Sequence, residues 1–238
     1  MKKIAIIIPT YNELDNIEKL INSILIYIPK SSIFIVDDSE NLEIEKLIDS
    51  KKLQVNYFHR EKSKGRGSAV LYGFRKALEK ENFEIFIEMD ADFSHNPNEL
   101  KKNIIKFDEL NLDLLIASRY LKESEIINWG IRRKILSKLS NLLARTLLGI
   151  KLSDFTNGFR FYSKRSVEKI TKTCGNIGDG FIILSEIIVV LNNNKFKIDE
   201  TETVFINRIR GESSVNLKLV IESLFGIIKL FFIKKNLF

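Results

Sequence analysis

An α/β fold with a mostly parallel central sheet flanked by helices is expected from three features of this 238-residue chain. Residues 4–8 and 33–36 are continuous apolar runs rich in β-branched residues, as in strands covered on both faces. Between such runs apolar residues recur at helical spacing, first at Leu14, Ile17, Leu20, Ile21, Ile24 and Leu25. Acidic or phosphate-binding side chains follow several runs directly, where open α/β sheets bind their ligands. Alternating strands and helices imply parallel pairing through right-handed crossovers.

In chain order, the first run ends at Pro9-Thr10-Tyr11-Asn12-Glu13 and the second delivers Asp37 and Asp38. A short helix over residues 42–48 and a strand over 55–58 come next. Lys64-Gly65-Arg66-Gly67-Ser68-Ala69 opens a helix through Val70, Phe74, Ala77 and Leu78. Two glycines at a helix start let backbone amides approach an anion. Ile85-Phe86-Ile87 reads as a buried strand that leads into Glu88-Met89-Asp90-Ala91-Asp92-Phe93-Ser94-His95.

If that strand continues, Asp90 and Asp92 share a face, and each raises the other's pKa unless a positive group lies between them. A divalent ion carrying a diphosphate meets that need, because Mg²⁺ prefers one or two carboxylates plus phosphate oxygens. For a lone Asp-x-Asp, a solvated strand exit is the plainer alternative. Asn96-Pro97 precedes another helix, and residues 114–117 form a fifth strand ending at Ser118-Arg119-Tyr120.

The second half changes character. Trp129 precedes a helix with Ile131, Ile135, Leu139, Leu142, Leu143 and Leu147 on one side and Arg132, Arg133, Lys134, Lys138 and Arg145 on the other. A Trp followed by a basic amphipathic helix fits a segment lying in a membrane interface. It fits a core-packing helix with a solvated basic face equally well, and periodicity leaves both open. Two polar, glycine-containing clusters follow, at residues 154–160 and 178–181, and the second leads to Glu186 on an apolar helix. An acid there is usually capping or solvated, although it could face the site.

The tail, 217–238, is apolar but holds Lys218, Glu222 and Lys229. Each charge at a bilayer centre costs about 2.5–3.5 kcal/mol on insertion scales, so a helix lying on the bilayer or against a partner is expected over a spanning one. The chain thus divides into a main domain over 1–214, including an interfacial helix at 129–148, and an amphipathic tail over 215–238.

Composition narrows the classes. Three Pro and eleven Gly argue against long linkers. A single cysteine, Cys174, excludes a disulfide framework or a Cys-based zinc site within one chain. The net charge of +7 suits phosphate chemistry or an anionic membrane surface. Its lysines and arginines are spread along the chain without the spacing of any nucleic-acid-binding motif, so no nucleic-acid partner is expected. The apolar run after Met1-Lys2-Lys3 is too short for a signal peptide and stops at Pro9.

Taken together, these motifs resemble the family 2 glycosyltransferases, and within them the enzymes that load polyprenyl phosphates with a sugar, such as the dolichol-phosphate mannose synthases. The residues that carry the resemblance are Pro9-Thr10-Tyr11-Asn12-Glu13, Val36-Asp37-Asp38, Lys64-Gly65-x-Gly67, the Asp90 to His95 run, Ser118-Arg119-Tyr120, Asp154 to Arg160, and Arg208-x-x-Gly211-x-Ser213. The resemblance implies a GT-A fold, meaning a nucleotide-diphospho-sugar transferase fold, and inverting transfer from a nucleotide-sugar to a polyprenyl phosphate. Mannose from GDP-mannose is the first choice, UDP-glucose or a non-lipid acceptor the alternative, and a basic nucleic-acid-binding module the remote one.

By the same resemblance Pro9, Tyr11, Glu13, Val36 and Asp38 line the nucleotide-sugar pocket with Asp90, Ala91, Asp92 and Ser94. Asp90 and Asp92 hold Mg²⁺ or Mn²⁺. Arg119, Arg133 and Ser137 bind the acceptor phosphate, and Arg208 closes over the donor; Asp92, Arg119, Arg133 and Arg208 carry the catalysis. The family's closing Gly-x-Ser-Lys reads Gly211-Glu212-Ser213-Ser214 here, and Arg210 is the candidate to replace the missing lysine. A location on the cytoplasmic face of a membrane follows, with room for a membrane-protein partner.

Overall fold

A computed structural model of the chain describes residues 2–62, 65–178, 180–207 and 217–233, with side chains throughout except at 217–224. A seven-stranded sheet carries the architecture. Its strands are β1 (Ile4–Thr10), β2 (Ser32–Asp37), β3 (Asn56–His59), β4 (Ile85–Glu88), β5 (Leu114–Ser118), β7 (Arg160–Ser163) and β8 (Ile198–Glu202), in the spatial order β3-β2-β1-β4-β7-β5-β8. All neighbours pair in parallel except around β7, which runs antiparallel to both β4 and β5. A small parallel pair, β6 (Glu125–Ile127) with β9 (Val204–Ile206), stands apart.

The unbroken apolar runs have the expected cause. In β1, Ile4, Ile6 and Ile8 enter one core cluster while Ala5 and Ile7 enter the other. Alternate side chains point to opposite faces, so a strand buried on both must be apolar throughout. One face is covered by α1 (Leu14–Tyr27), α2 (Glu43–Lys51) and α4 (Glu99–Glu109); Ile17, Leu20, Ile21 and Ile24 form the buried stripe of α1. The other is covered by α3 (Arg66–Lys80), α5 (Ile131–Leu148), α6 (Lys164–Thr173), α7 (Ile182–Asn193) and α8 (Leu217–Ile233). Fully burying each such side chain contributes about 1.5–3 kcal/mol before entropy is counted.

Three elements depart from expectation or decide what the sequence left open. The chain after Ile87 does not continue as a strand: β4 ends at Glu88, and Asp90 and Asp92 lie in a turn with Phe93 at φ 60°. Helix α5 turns Ile131, Ile135, Leu139 and Leu142 outward and packs inward through Asn141, Ala144 and Leu148. Trp129, which the sequence left open between a membrane interface and the core, is only 9% exposed and packs edge-to-face on Phe205. Cys174, at the end of α6, is buried, and burial pushes its thiol far above the usual range.

Candidate active site

Every side chain singled out at a strand end lies along the carboxyl edge of the parallel strands. On the β2 side, Asp37 staples the loop: it accepts from Thr10 Oγ1 (3.1 Å), Ser39 N (3.0 Å), Ser39 Oγ (2.6 Å) and Tyr57 Oη (2.9 Å). Asp38 is held in a fork by Arg60, at 2.7 and 2.6 Å, and also accepts from Gly65 N at 2.8 Å. Gly65 has φ 145°, a backbone conformation open mainly to glycine, and it turns the amide toward Asp38. The anion met by the glycine-rich helix start is thus the protein's own carboxylate. Tyr11 is more than half exposed at the rim and Glu13 precedes α1, whereas the Val36 side chain is buried against α3 at Gly73.

The Asp-x-Asp turn sits at the centre. Glu88, fully buried, accepts from Tyr162 Oη (2.7 Å) and from Arg66 Nη1 (2.6 Å). Arg66 also donates to Asp90 Oδ1 through Nε (2.9 Å) and Nη2 (2.6 Å). Burial works against the Arg66 charge, but Asp90 and Glu88 more than offset it and hold the guanidinium protonated. Arg66 thus supplies a built-in positive group between Glu88 and Asp90. Asp92 Oδ1 accepts from Ser94 N (3.0 Å), whereas Ser94 Oγ is buried without a partner among the described residues. His95 accepts from Asp90 N through Nδ1 (3.0 Å), so its Nε2–H faces Asn157 Oδ1 (3.0 Å), and its ring stacks on Phe159. Both ring nitrogens are engaged in hydrogen bonds that brace the turn.

On the β5 side, Arg119 donates to Asp154 through Nε (2.7 Å) and Nη2 (2.8 Å), and to Thr156 Oγ1 (2.6 Å). Burial alone would raise the Asp154 pKa, but Arg119 holds the carboxyl below its usual range. Glu200 fixes the same loop by accepting from Ser153 N (2.8 Å) and Asp154 N (2.9 Å). Tyr120, Trp129 and Phe205 surround the Arg119 guanidinium at 5.3–5.6 Å from their ring centres. Arg133 stacks on Trp129 at 4.1 Å and donates to Asn207 Oδ1 (3.0 Å), and the Tyr120 hydroxyl donates to Ser137 Oγ. The indole N–H of Trp129 is buried with no partner among the described residues. Arg119, Arg133 and Ser137 are thus gathered around two aromatic rings. Arg208, Lys64, Arg210 and the 211–214 segment lie outside the described residues.

Sequence reasoning missed Arg60, Arg66, Glu200 and the packing role of Trp129. The available signal was stoichiometric: a buried strand-end acid needs a cation or several hydrogen-bond donors, and Arg60 and Arg66 both flank the loop that leads into α3. Arg160 lies fully inside, donating to the carbonyls of Asn157, Phe155 and Leu184. Glu186 turns away to the α6–α7 connection, where it accepts from Gly175 N (3.0 Å) and keeps one oxygen unpartnered among the described residues.

The glycosyl transferase family 2 model matches residues 5–171. The chain belongs to that family. It is 32% identical over 230 residues to the polyprenol monophosphomannose synthase of Mycolicibacterium smegmatis, covering 95% of this chain and 86% of that protein. It is 34% identical over 234 residues to the dolichol-phosphate mannosyltransferase of Pyrococcus furiosus, covering 96% of this chain and 63% of that protein. Among solved structures, glucosyl-3-phosphoglycerate synthase from Mycobacterium tuberculosis superposes with a TM-score of 0.68 at 17% identity, covering 99% of this chain and 80% of that one. That structure holds Mn²⁺, uridine-diphosphate-glucose and phosphoglyceric acid, and the likeness establishes the GT-A fold for this family member. The chain is accordingly a glycosyltransferase related to the polyprenyl-phosphate mannosyltransferases.

Proposed function

We propose that this glycosyltransferase transfers mannose from GDP-mannose, with inversion, to a polyprenyl (dolichyl) phosphate at the cytoplasmic face of a membrane. One observation carries the acceptor reading. The cluster of Arg119, Arg133, Ser137 and the Trp129 N–H, which has no partner among the described residues, sits at the root of α5, whose Ile131, Ile135, Leu139 and Leu142 face outward. An anion site at the foot of an exposed apolar helix suits a phosphate attached to a lipid. The names of the two curated relatives support mannose and a polyprenol-type acceptor.

The chemistry is consistent with this inventory. A hydroxyl acceptor needs a base to take its proton. A lipid monophosphate is already an anion near neutral pH, its second pKa being about 6 as for phosphorylated side chains. The protein has to orient it and offset its charge, which stacked and hydrogen-bonded arginines do. Oxygen donors on the Asp-x-Asp turn fit Mg²⁺ or Mn²⁺: Asp90, Asp92 and the Ser94 hydroxyl, which has no partner among the described residues, are hard ligands on one short segment. Among the described residues no group of three or more His, Cys, Asp or Glu forms a closed cage, so the remaining ligands would come from the diphosphate. When bound, the ion would stabilise charge on the departing nucleotide diphosphate.

No helix among the described residues is long and apolar enough to cross a membrane. We assign membrane contact instead to the α5 face together with α8, on which Phe225, Ile228 and Phe232 are exposed. Arg132, Lys138 and Arg145, exposed on α5, supply charge for anionic headgroups. In this reading residues 1–214 form the catalytic domain, and the following tail lies on the bilayer.

Labelled transfer from GDP-mannose, and in parallel from UDP-glucose, to a polyprenyl phosphate in Mg²⁺ or Mn²⁺ tests the reaction. Label in the organic phase from GDP-mannose is expected. Transfer only from UDP-glucose would replace the donor, and transfer to a free sugar but not to the lipid phosphate would sink the acceptor.

A further inference from the structure

We propose that Arg66 is a positioning residue for the divalent ion: it occupies Asp90 until the donor arrives and makes metal binding depend on the nucleotide diphosphate. The inference rests on the metal reading of the Asp90–Asp92 turn given above and deepens it.

Arg66 is the first residue of α3, and its guanidinium spans Asp90 Oδ1 and Glu88 Oε1 with three bonds of 2.6–2.9 Å. The surroundings are shaped to keep it there. The Phe181 ring lies 5.6 Å from the guanidinium carbon, and Gly158 leaves the space the guanidinium fills, since any Cβ at 158 would collide with it. Tyr162 Oη donates to the other Glu88 oxygen, so that carboxylate faces Arg66 squarely.

The electrostatic consequence follows from charge counting. Glu88, Asp90 and Asp92 bring three negative charges to this turn, and Arg66 cancels one. An ion approaching the turn alone meets a partly neutralised Asp90 and a guanidinium beside it, both of which weaken its hold. A nucleotide diphosphate brings further negative charge and phosphate oxygens, and the ion then gains the ligands it prefers. Because a guanidinium stays charged at any physiological pH, this control does not relax with acidity.

Direct Mn²⁺ binding tests the idea without turnover. Titration of the full chain, followed by the electron paramagnetic resonance of free Mn²⁺, is run with the metal alone, with added GDP and with added UDP. The wild type is expected to bind Mn²⁺ weakly alone and at least about tenfold more tightly with one of the two nucleotides, a change of about 1.4 kcal/mol. Arg66→Gln should tighten Mn²⁺ binding in the absence of nucleotide by about tenfold or more, whereas Arg66→Lys, which keeps the charge, should stay near the wild type.

Losing Arg66 strands the buried Glu88 carboxylate, so the double variant Arg66→Gln/Glu88→Gln is measured beside it. This pair leaves the net charge of the turn unchanged, so tighter Mn²⁺ binding in it reports the release of Asp90. A double variant that is folded, judged by circular dichroism, yet binds Mn²⁺ alone no better than the wild type overturns the inference. So does a wild type that binds Mn²⁺ equally tightly with and without nucleotide, an outcome that leaves the metal reading intact. A wild type that binds Mn²⁺ under none of the three conditions overturns the metal reading itself.

Discussion

Helices α3 and α5 both begin beside the candidate active site, yet they use their apolar residues in opposite ways. Helix α3 buries Ala69, Val70, Leu71, Phe74 and Ala77 in the core and puts its first residue, Arg66, onto the Asp-x-Asp turn. Helix α5 packs through Asn141, Ala144 and Leu148 and leaves a row of Ile and Leu outside. Asn141 even spends its side chain on the loop, accepting from Phe155 N (2.7 Å) and donating to Ser137 O (3.0 Å). One ties a charged turn to the core, and the other leaves an apolar row exposed beside the Arg119–Arg133–Trp129 cluster.

Substitutions that separate the two roles sharpen this contrast. The largest effect is expected at the turn that α3 serves: Asp92→Ala should lower metal-dependent turnover by roughly a hundredfold or more, since metal stabilisation of charge is worth several kcal/mol. Activity retained in Mg²⁺ would remove Asp92 from the metal site. Next, Phe74→Ala on α3 should cost about 3–5 kcal/mol in urea unfolding, because the ring is fully buried between Phe86 and Tyr162.

Leu139→Ser on α5 should change stability by less than about 0.5 kcal/mol, as exposed positions usually do, while reducing co-sedimentation with anionic vesicles. If Leu139→Ser unfolds the protein as Phe74→Ala does, α5 is a core helix and the contrast fails. Arg133→Ala should raise the apparent KM for the lipid phosphate by about tenfold, the scale of one charge-assisted hydrogen bond, and alter kcat less. A shift in the donor KM instead would move Arg133 to the nucleotide side.

The smallest effect concerns Glu186, outside the site. Burial raises its pKa, partly opposed by the Gly175 and Asn176 amides and by Lys229. A carboxyl whose folded pKa is raised favours folding below its unfolded value and loses that contribution as pH rises through the folded one. Glu186→Gln should therefore melt higher than the wild type at pH 8, with the gap closing toward pH 4. An equal gap at both pH values would show that the carboxylate carries no burial cost.

Local sequence determined the elements with strong patterns. Residues 4–8 and 33–36 had to be buried strands because nothing polar interrupts them, and the helical spacing from Leu14 to Leu25 placed α1. It also placed the acidic and arginine-bearing motifs at strand ends and carried enough motif to indicate the family. Tertiary structure decided the rest. Strand β7 is only Arg-Phe-Tyr-Ser, too short to show a period, and its antiparallel place between β4 and β5 comes from long-range pairing.

The partner of each acid was likewise undetermined: Arg60 with Asp38 and Arg119 with Asp154 lie 22 and 35 residues apart. Which side of α5 faces inward was also invisible, because periodicity marks an apolar face without saying whether core or solvent lies beyond it. Local preferences and burial patterns are written residue by residue. Ion pairing and facing depend on distances that exist only once the sheet has brought its loops together.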